Sequence, residues 1–150
     1  MNGQTSVYIL CAAGCGGAIA LQAAANGRLG YHLQDSRWAA ILSLFGSFTA
    51  TVVLLLLFRP SPPAWSGVRT TEWWNWVGGP LGVVVVACGA ILAPRLGAAA
   101  FIALVVAGQL ICSLVLDHFA LMGLPEARIT VGRLIGVLMV MVGVVCVKFL

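Results

Sequence analysis

The chain has 150 residues, 61% of them hydrophobic and only 8% charged, with a mean hydropathy of +1.07. An average soluble domain carries about 25% charged residues, so a surface this poor in charge must face lipid, and a soluble catalytic domain is excluded. The formal net charge of +4 comes from basic residues scattered singly, which leaves no run that would bind nucleic acid or act as a polybasic lipid anchor.

Crossing a bilayer takes about 20 residues per helix. Apolar runs then predict an all-α integral membrane protein, one domain over residues 1–150, with five helices near 5–25, 38–58, 73–93, 97–116 and 131–150. Met1-Asn2-Gly3-Gln4 lacks the basic n-region of a signal peptide, so the first run is expected to stay as a permanent helix.

The first span is small-sided from Ala12 to Ala18, which suits close backbone approach between helices in lipid. It ends in Gln22 and Asn26, one turn apart on one face. The residues from Asn26 to Arg37 read as a short polar connection, in which His32 is expected to be a solvated loop residue. In the second span Ser43, Ser47 and Thr51 form a ladder at four-residue intervals. Such hydroxyls commonly bond back to their own helix; alternatively they line a shared crevice.

Arg59-Pro60-Ser61-Pro62-Pro63 stops that helix. Trp65, Trp73, Trp74 and Trp76 follow as an interfacial aromatic belt. Pro80 is expected to kink the third span near Trp76, while Gly78 and Gly82 would admit a neighbouring backbone. Pro94-Arg95-Leu96-Gly97 reads as a tight hairpin into the fourth span.

That fourth span holds Gln109, Ser113 and Asp117 at four-residue spacing in an otherwise apolar run. Four-residue spacing keeps the three near one helix face. A carboxylate at a helix centre in a bilayer costs about 2.5–3.5 kcal/mol even on insertion scales. Asp117 is therefore either a coupling group for proton exchange or an interfacial residue bonded to the last loop or to His118. The last loop turns at Gly123-Leu124-Pro125. In the fifth span Gly132, Gly136 and Gly143 read as a packing face, suited to a dimer.

The five cysteines all lie in apolar runs, form no C-x-x-C pair and have no histidine cluster beside them. They read as small buried hydrophobes. No metal, no cofactor and no enzymatic nucleophile–base pair is expected.

Five spans place the N-terminus with the second and fourth loops, and the C-terminus with the first and third. Arg59, Arg69, Arg128 and Arg133 fall on the first side, and Arg28, Arg37, Arg95 and Lys148 on the second, four against four. Orientation follows the imbalance of these residues, and here there is none. Insertion both ways is the expectation, with two opposed copies pairing about an axis in the membrane plane.

The segments Leu21–Gly30 (LQAAANGRLG), Trp73–Gly82 (WWNWVGGPLG), Ala93–Ala99 (APRLGAA), Gly108–Gly123 (GQLICSLVLDHFALMG) and Arg133–Gly136 (RLIG) together resemble the YdcZ-like bacterial inner-membrane proteins of the drug/metabolite transporter superfamily, which includes EamA-like relatives. The departures are Leu44 after Ser43 where the family has Ser-Phe, Ser47 in place of a glycine, and Ala120 where glycine follows Asp-His-Phe. The resemblance implies export of small molecules from the inner membrane. Its small multidrug-resistance relatives act as dual-topology antiparallel dimers, and carry an acid in their first span that this chain lacks.

The expected protein is thus a secondary-active exporter of a small metabolite or a cationic or amphipathic solute. It would work by alternating access as an antiparallel 5+5 homodimer with an inverted-repeat fold. Gln22, Asn26, Gln109 and Ser113 would line the cavity, with Ser43 and Ser47 beside them and Asp117 as the coupling candidate. The rival expectation is a non-transporting membrane subunit that stabilises or regulates a partner.

Overall fold

The computed structural model describes residues 3–150; Met1 and Asn2, part of the uncharged N-terminus considered above, lie outside the described residues. The order is α1 (Gly3–His32), α2 (Ser36–Phe58), the short α3 (Trp65–Thr70), α4 (Gly78–Leu96), α5 (Ala98–His118) and α6 (Val131–Phe149). No strand occurs among the described residues. Five helices are long and apolar enough to cross a membrane: α1, α2, α5, α6, and α4 taken with the turn before it.

Two connections are minimal. Between α1 and α2 only Leu33–Asp35 intervene, with Gln34 in the left-handed region. Asp35 then caps α2, its carboxylate accepting from Arg37 N–H at 2.9 Å and pairing with the Arg37 guanidinium at 2.8 Å. Between α4 and α5 stands Gly97 alone, at φ 86°, a backbone that glycine adopts without steric cost. The other connections are longer. Arg59 closes α2 in the left-handed conformation, the prolines keep the chain extended, and Trp73–Trp76 forms a 3₁₀ turn before α4.

These bounds correct the sequence reading in three places. The segment from Asn26 is not a connection: α1 runs two turns further, to His32. Pro80 lies in the first turn of α4, where a missing N–H leaves no bond unmade, and the irregularity expected near Trp76 is a change from 3₁₀ to α at Val77. Pro94 lies inside the last turn of α4, so the hairpin turn is narrower than the Pro94–Gly97 stretch.

Packing is concentrated at one end. The buried residues of α1 are Ala23, Asn26, Gly27 and Gly30; those of α2 are Ala39 and Ala40; those of α4 are Gly89, Ala90 and Ala93. All lie near the α1–α2 and α4–α5 turns, and Phe101 at the start of α5 is the one large side chain among them. We call this the hairpin end. Lipid offers little hydrophobic drive for helix association, so small residues at close range hold such an interface. A Cβ on Gly27 would come within 2.6 Å of Pro94 Cγ, and one on Gly30 within 3.0 Å of Ser36 Cα.

Away from that end, toward the opposite or loop end, the glycines of α1, α2 and α4 meet no neighbour. Gly14, Gly16 and Gly17 of α1, Gly46 of α2, and Gly78, Gly79 and Gly82 of α4 have nothing within 4 Å of a built Cβ. The outermost helix, α6, leans chiefly on α5, with Lys148 Nζ donating to Leu96 O at 3.4 Å. Gly132, Gly136 and Gly143 likewise meet nothing within 4 Å. Within one protomer, then, Gly78, Gly82, Gly132, Gly136 and Gly143 are not the packing glycines. Gly27, Gly30 and Gly89 are.

Candidate functional site

Asn26 is the one buried polar side chain among the described residues. It is held there because α1 continues past it and α2 crosses close by: Asn26 Nδ2 donates to Ser43 Oγ at 3.0 Å. An amide buried in a membrane bundle without a partner would cost several kcal/mol by the general cost of burying polar groups (~2–7), and Ser43 supplies the partner. The bond ties the two helices together beside the small-residue contact of Ala39 and Ala40 with Ala90.

On the other flank of Asn26 lies a crevice of about 20 Å³ between α1, α4 and α5, bounded by Gln22, Val86, Gly89 and Phe101 among others. That is room for about one water, which needs at least ~10–15 Å³. Gln22, one turn nearer the loop end on α1, is exposed at its edge. No charged side chain borders the crevice. What it can offer is amide hydrogen bonding from Gln22 and Asn26 beside the aromatic face of Phe101.

Ser47 and Thr51 do not join this pair. Ser47 Oγ donates to Ser43 O at 3.0 Å and Thr51 Oγ1 to Ser47 O at 2.9 Å. Both are back-bonded to their own helix, as hydroxyls in apolar helices commonly are. Of the second-span ladder only Ser43 turns inward.

The fourth-span stripe is divided too. Gln109, about midway along α5, is exposed. Ser113 Oγ donates to Leu110 O at 3.1 Å. Asp117 stands at the loop end, where Arg133 Nη1 approaches its Oδ2 at 3.3 Å and also donates to Ala127 O at 3.0 Å. Ala127 N–H donates to Asp117 O at 2.9 Å, and Ile129 N–H to His118 Nδ1 at 3.4 Å. Asp117 thus meets the first turn of α6 through its carboxylate and the last loop through its backbone carbonyl. Thr130 caps that turn, accepting from Arg133 N–H at 3.3 Å.

A cleft of about 390 Å³ opens between α5 and α6 below the ion pair, bordered by Ser113, Asp117, Arg133 and Gly136 with Leu110, Leu114, Val137 and Val140. The candidates expected to share one cavity therefore fall into two places. Asn26 and Gln22 border the inner crevice, with Ser43 behind Asn26 as its hydrogen-bond partner. Ser113 and Asp117 belong to the outer cleft. Sequence reasoning missed Arg133 as the partner of Asp117; the signal was a last loop short enough to bring the start of α6 back to the end of α5. Among the described residues no group of three or more His, Cys, Asp or Glu is placed to hold a metal ion.

Residues 7–146 match a family model, DMT_YdcZ, described as "Putative inner membrane exporter, YdcZ". Comparison with curated proteins and with solved structures returns no match.

Proposed function

Since the chain belongs to the YdcZ family of inner-membrane exporters, and is a multi-pass protein of that membrane, we propose that it exports a small polar solute through a cavity shared by two oppositely inserted copies. The observation that carries this reading is the one-ended packing of the protomer. Small residues seal α1, α2, α4 and α5 together at the hairpin end, while the glycine-rich halves of α1 and α4 stand open at the loop end.

An inverted second copy would set its sealed end beside the open end of the first. Each face of the membrane would then meet one sealed and one open half, and rocking about the shared axis would expose the cavity to either side in turn. The balance of four basic residues against four supports insertion both ways. Gln109 and Gln22, exposed in the single protomer, would turn toward that cavity, because an amide facing acyl chains goes unpaired. Asn26 and Ser43 form its wall, and Gly78, Gly82, Gly132 and Gly143 are the places where a second backbone could come close.

The crevice beside Asn26 has no charged border. With Gln22, Asn26 and Gln109 as its polar groups, the shared cavity favours a solute recognised by hydrogen bonds over one held by its cationic charge. Arg133 engages the Asp117 carboxylate at the loop end, apart from the crevice beside Asn26.

Purified protein in liposomes tests the proposal. Expected are solute flux driven by a gradient and C-terminal tags accessible from both sides of the membrane in cells. Flux with tags on one side only ends the antiparallel arrangement but leaves export standing. A non-transporting subunit is the second reading, favoured by the same open apolar half, which could receive another protein; it moves nothing under any gradient.

A further inference from the structure

The cleft between α5 and α6 has a chemistry that the transport reading does not use. At its rim Asp117 and Arg133 meet through one contact of 3.3 Å, with side chains 35% and 41% exposed. This is not the paired fork of a saturated arginine–carboxylate bridge. Among the described residues, Asp117 Oδ1 and the Arg133 Nε and Nη2 groups have no partner. The pair thus presents one free carboxylate oxygen and free guanidinium donors side by side.

Below the rim the cleft is apolar. Leu110 and Val140 lie seven residues from Asp117 and Arg133 along their helices, a depth of roughly 10 Å at 1.5 Å per residue. Gly136 leaves the middle open, with nothing within 4 Å of a built Cβ. Two helices alone form its walls, so it opens sideways to the bilayer. Charges lie at the ends of the spans, where headgroups are, and apolar walls at the depth of the upper acyl chain.

We propose that this cleft is a resident site for a zwitterionic phospholipid with a primary ammonium group, whose ammonium donates to Asp117, whose phosphate accepts from Arg133, and whose acyl chain lies over Gly136. Charge complementarity selects this occupant. An anionic headgroup answers Arg133 alone and sets its charge against Asp117. A quaternary choline has no N–H to give the free carboxylate oxygen, whereas a primary ammonium has three donors. An acyl chain gains little by leaving lipid for an apolar cleft, since lipid tails are as apolar as the walls. Headgroup recognition must therefore carry the preference.

The test is lipid retention by the full-length protein in detergent, read by native mass spectrometry, with phosphatidylethanolamine, phosphatidylcholine and phosphatidylglycerol of identical chains. The expected result is retention of phosphatidylethanolamine at least tenfold over the other two, loss of that preference in Asp117→Asn, and loss of retention of all three in Gly136→Leu. Gly136→Leu grows into empty space and should keep the wild-type elution profile, so it decides the matter if Asp117→Asn fails to fold. Equal retention of the three headgroups, a preference for phosphatidylglycerol, or unchanged retention in Gly136→Leu would overturn the proposal. Protein-dependent movement of labelled phosphatidylethanolamine between leaflets would mark the lipid as cargo and overturn its resident role.

Discussion

Gly27 of α1 lies against the ring of Pro94 of α4, so close that a Cβ would fall 2.6 Å from Pro94 Cγ. Inside the last turn of its own helix, the proline fills the space the glycine leaves. The proline ring is stiff and cannot swing aside as a flexible side chain would. Gly27→Ala is therefore expected to lower protomer stability by about 1–3 kcal/mol, the usual cost of overpacking. Gly136→Ala should change it by less than about 0.5 kcal/mol. Unfolding by denaturing detergent, followed by helical circular dichroism, compares the two; equal losses would mean that the hairpin end is not where the protomer is held.

The bond from Asn26 to Ser43 should be worth about 0.6 kcal/mol and at most ~1.7, the span found for interhelical side-chain hydrogen bonds in membranes. A double-mutant cycle with Asn26→Ala and Ser43→Ala measures it. In proteoliposomes each single variant is also expected to reduce flux about tenfold. Flux that follows only the loss of stability would make the pair a strut and remove it from the solute path.

Basic residues added to one end should force one orientation. Ser61→Lys with Ser66→Lys loads the loop end, and His32→Lys with Gln34→Lys loads the hairpin end. Each double variant alone should show its C-terminal tag on one side only and lose flux by more than tenfold. Co-expression of the two should restore it. Full activity of either variant alone would contradict the opposed dimer.

Asp117→Asn should leave the pH dependence of transport unaltered, because the carboxylate serves the α5–α6 hairpin. Protease sensitivity of the last loop should rise instead, as the hold of Arg133 on Asp117 weakens. A flattened pH profile in flux measurements from pH 5 to 9 would return Asp117 to a proton-carrying role.

The Arg37 side chain beside Asp35, with help from the Arg37 backbone N–H, holds the Asp35 carboxyl below its ordinary value of 3.8. A depressed folded-state value means that the clasp is fully present above the ordinary value and is lost as pH falls through the lower one. Wild-type protein should thus keep a protected α1–α2 turn down to pH 4 and lose protection only in stronger acid. Hydrogen exchange at the turn measures this, and Asp35→Ala, which removes both the cap and the ion pair, should show the exposed behaviour already at pH 7.

The spans were readable because their apolar runs are long and their ends carry prolines, tryptophans and arginines. The end of α1 was not. Asn26, Arg28 and His32 look like loop chemistry, and nothing local says that Asn26 is hidden against a hydroxyl on α2 or that Gly27 and Gly30 admit other chain segments. Spacing also put Gln109, Ser113 and Asp117 on one stripe without revealing their neighbours. Ser113 bonds to its own helix and Asp117 finds an arginine sixteen residues away; those two border one cleft, and Gln109 lies outside it. Within the protomer the close approaches fall at Gly27, Gly30 and Gly89. A small residue permits close approach, but only the partner helix decides where it happens.

Three residues join α1 to α2, and one joins α4 to α5. Links this short cannot let one helix of a pair reverse while its mate stays put. During biogenesis each pair must enter the membrane as a unit, and the choice of direction falls to the long connections from Arg59 to Val77 and from Phe119 to Thr130. The protein therefore has three independent decisions to make at insertion instead of five, and a partly reversed chain, with one helix of a pair stranded outside, has no route by which to form.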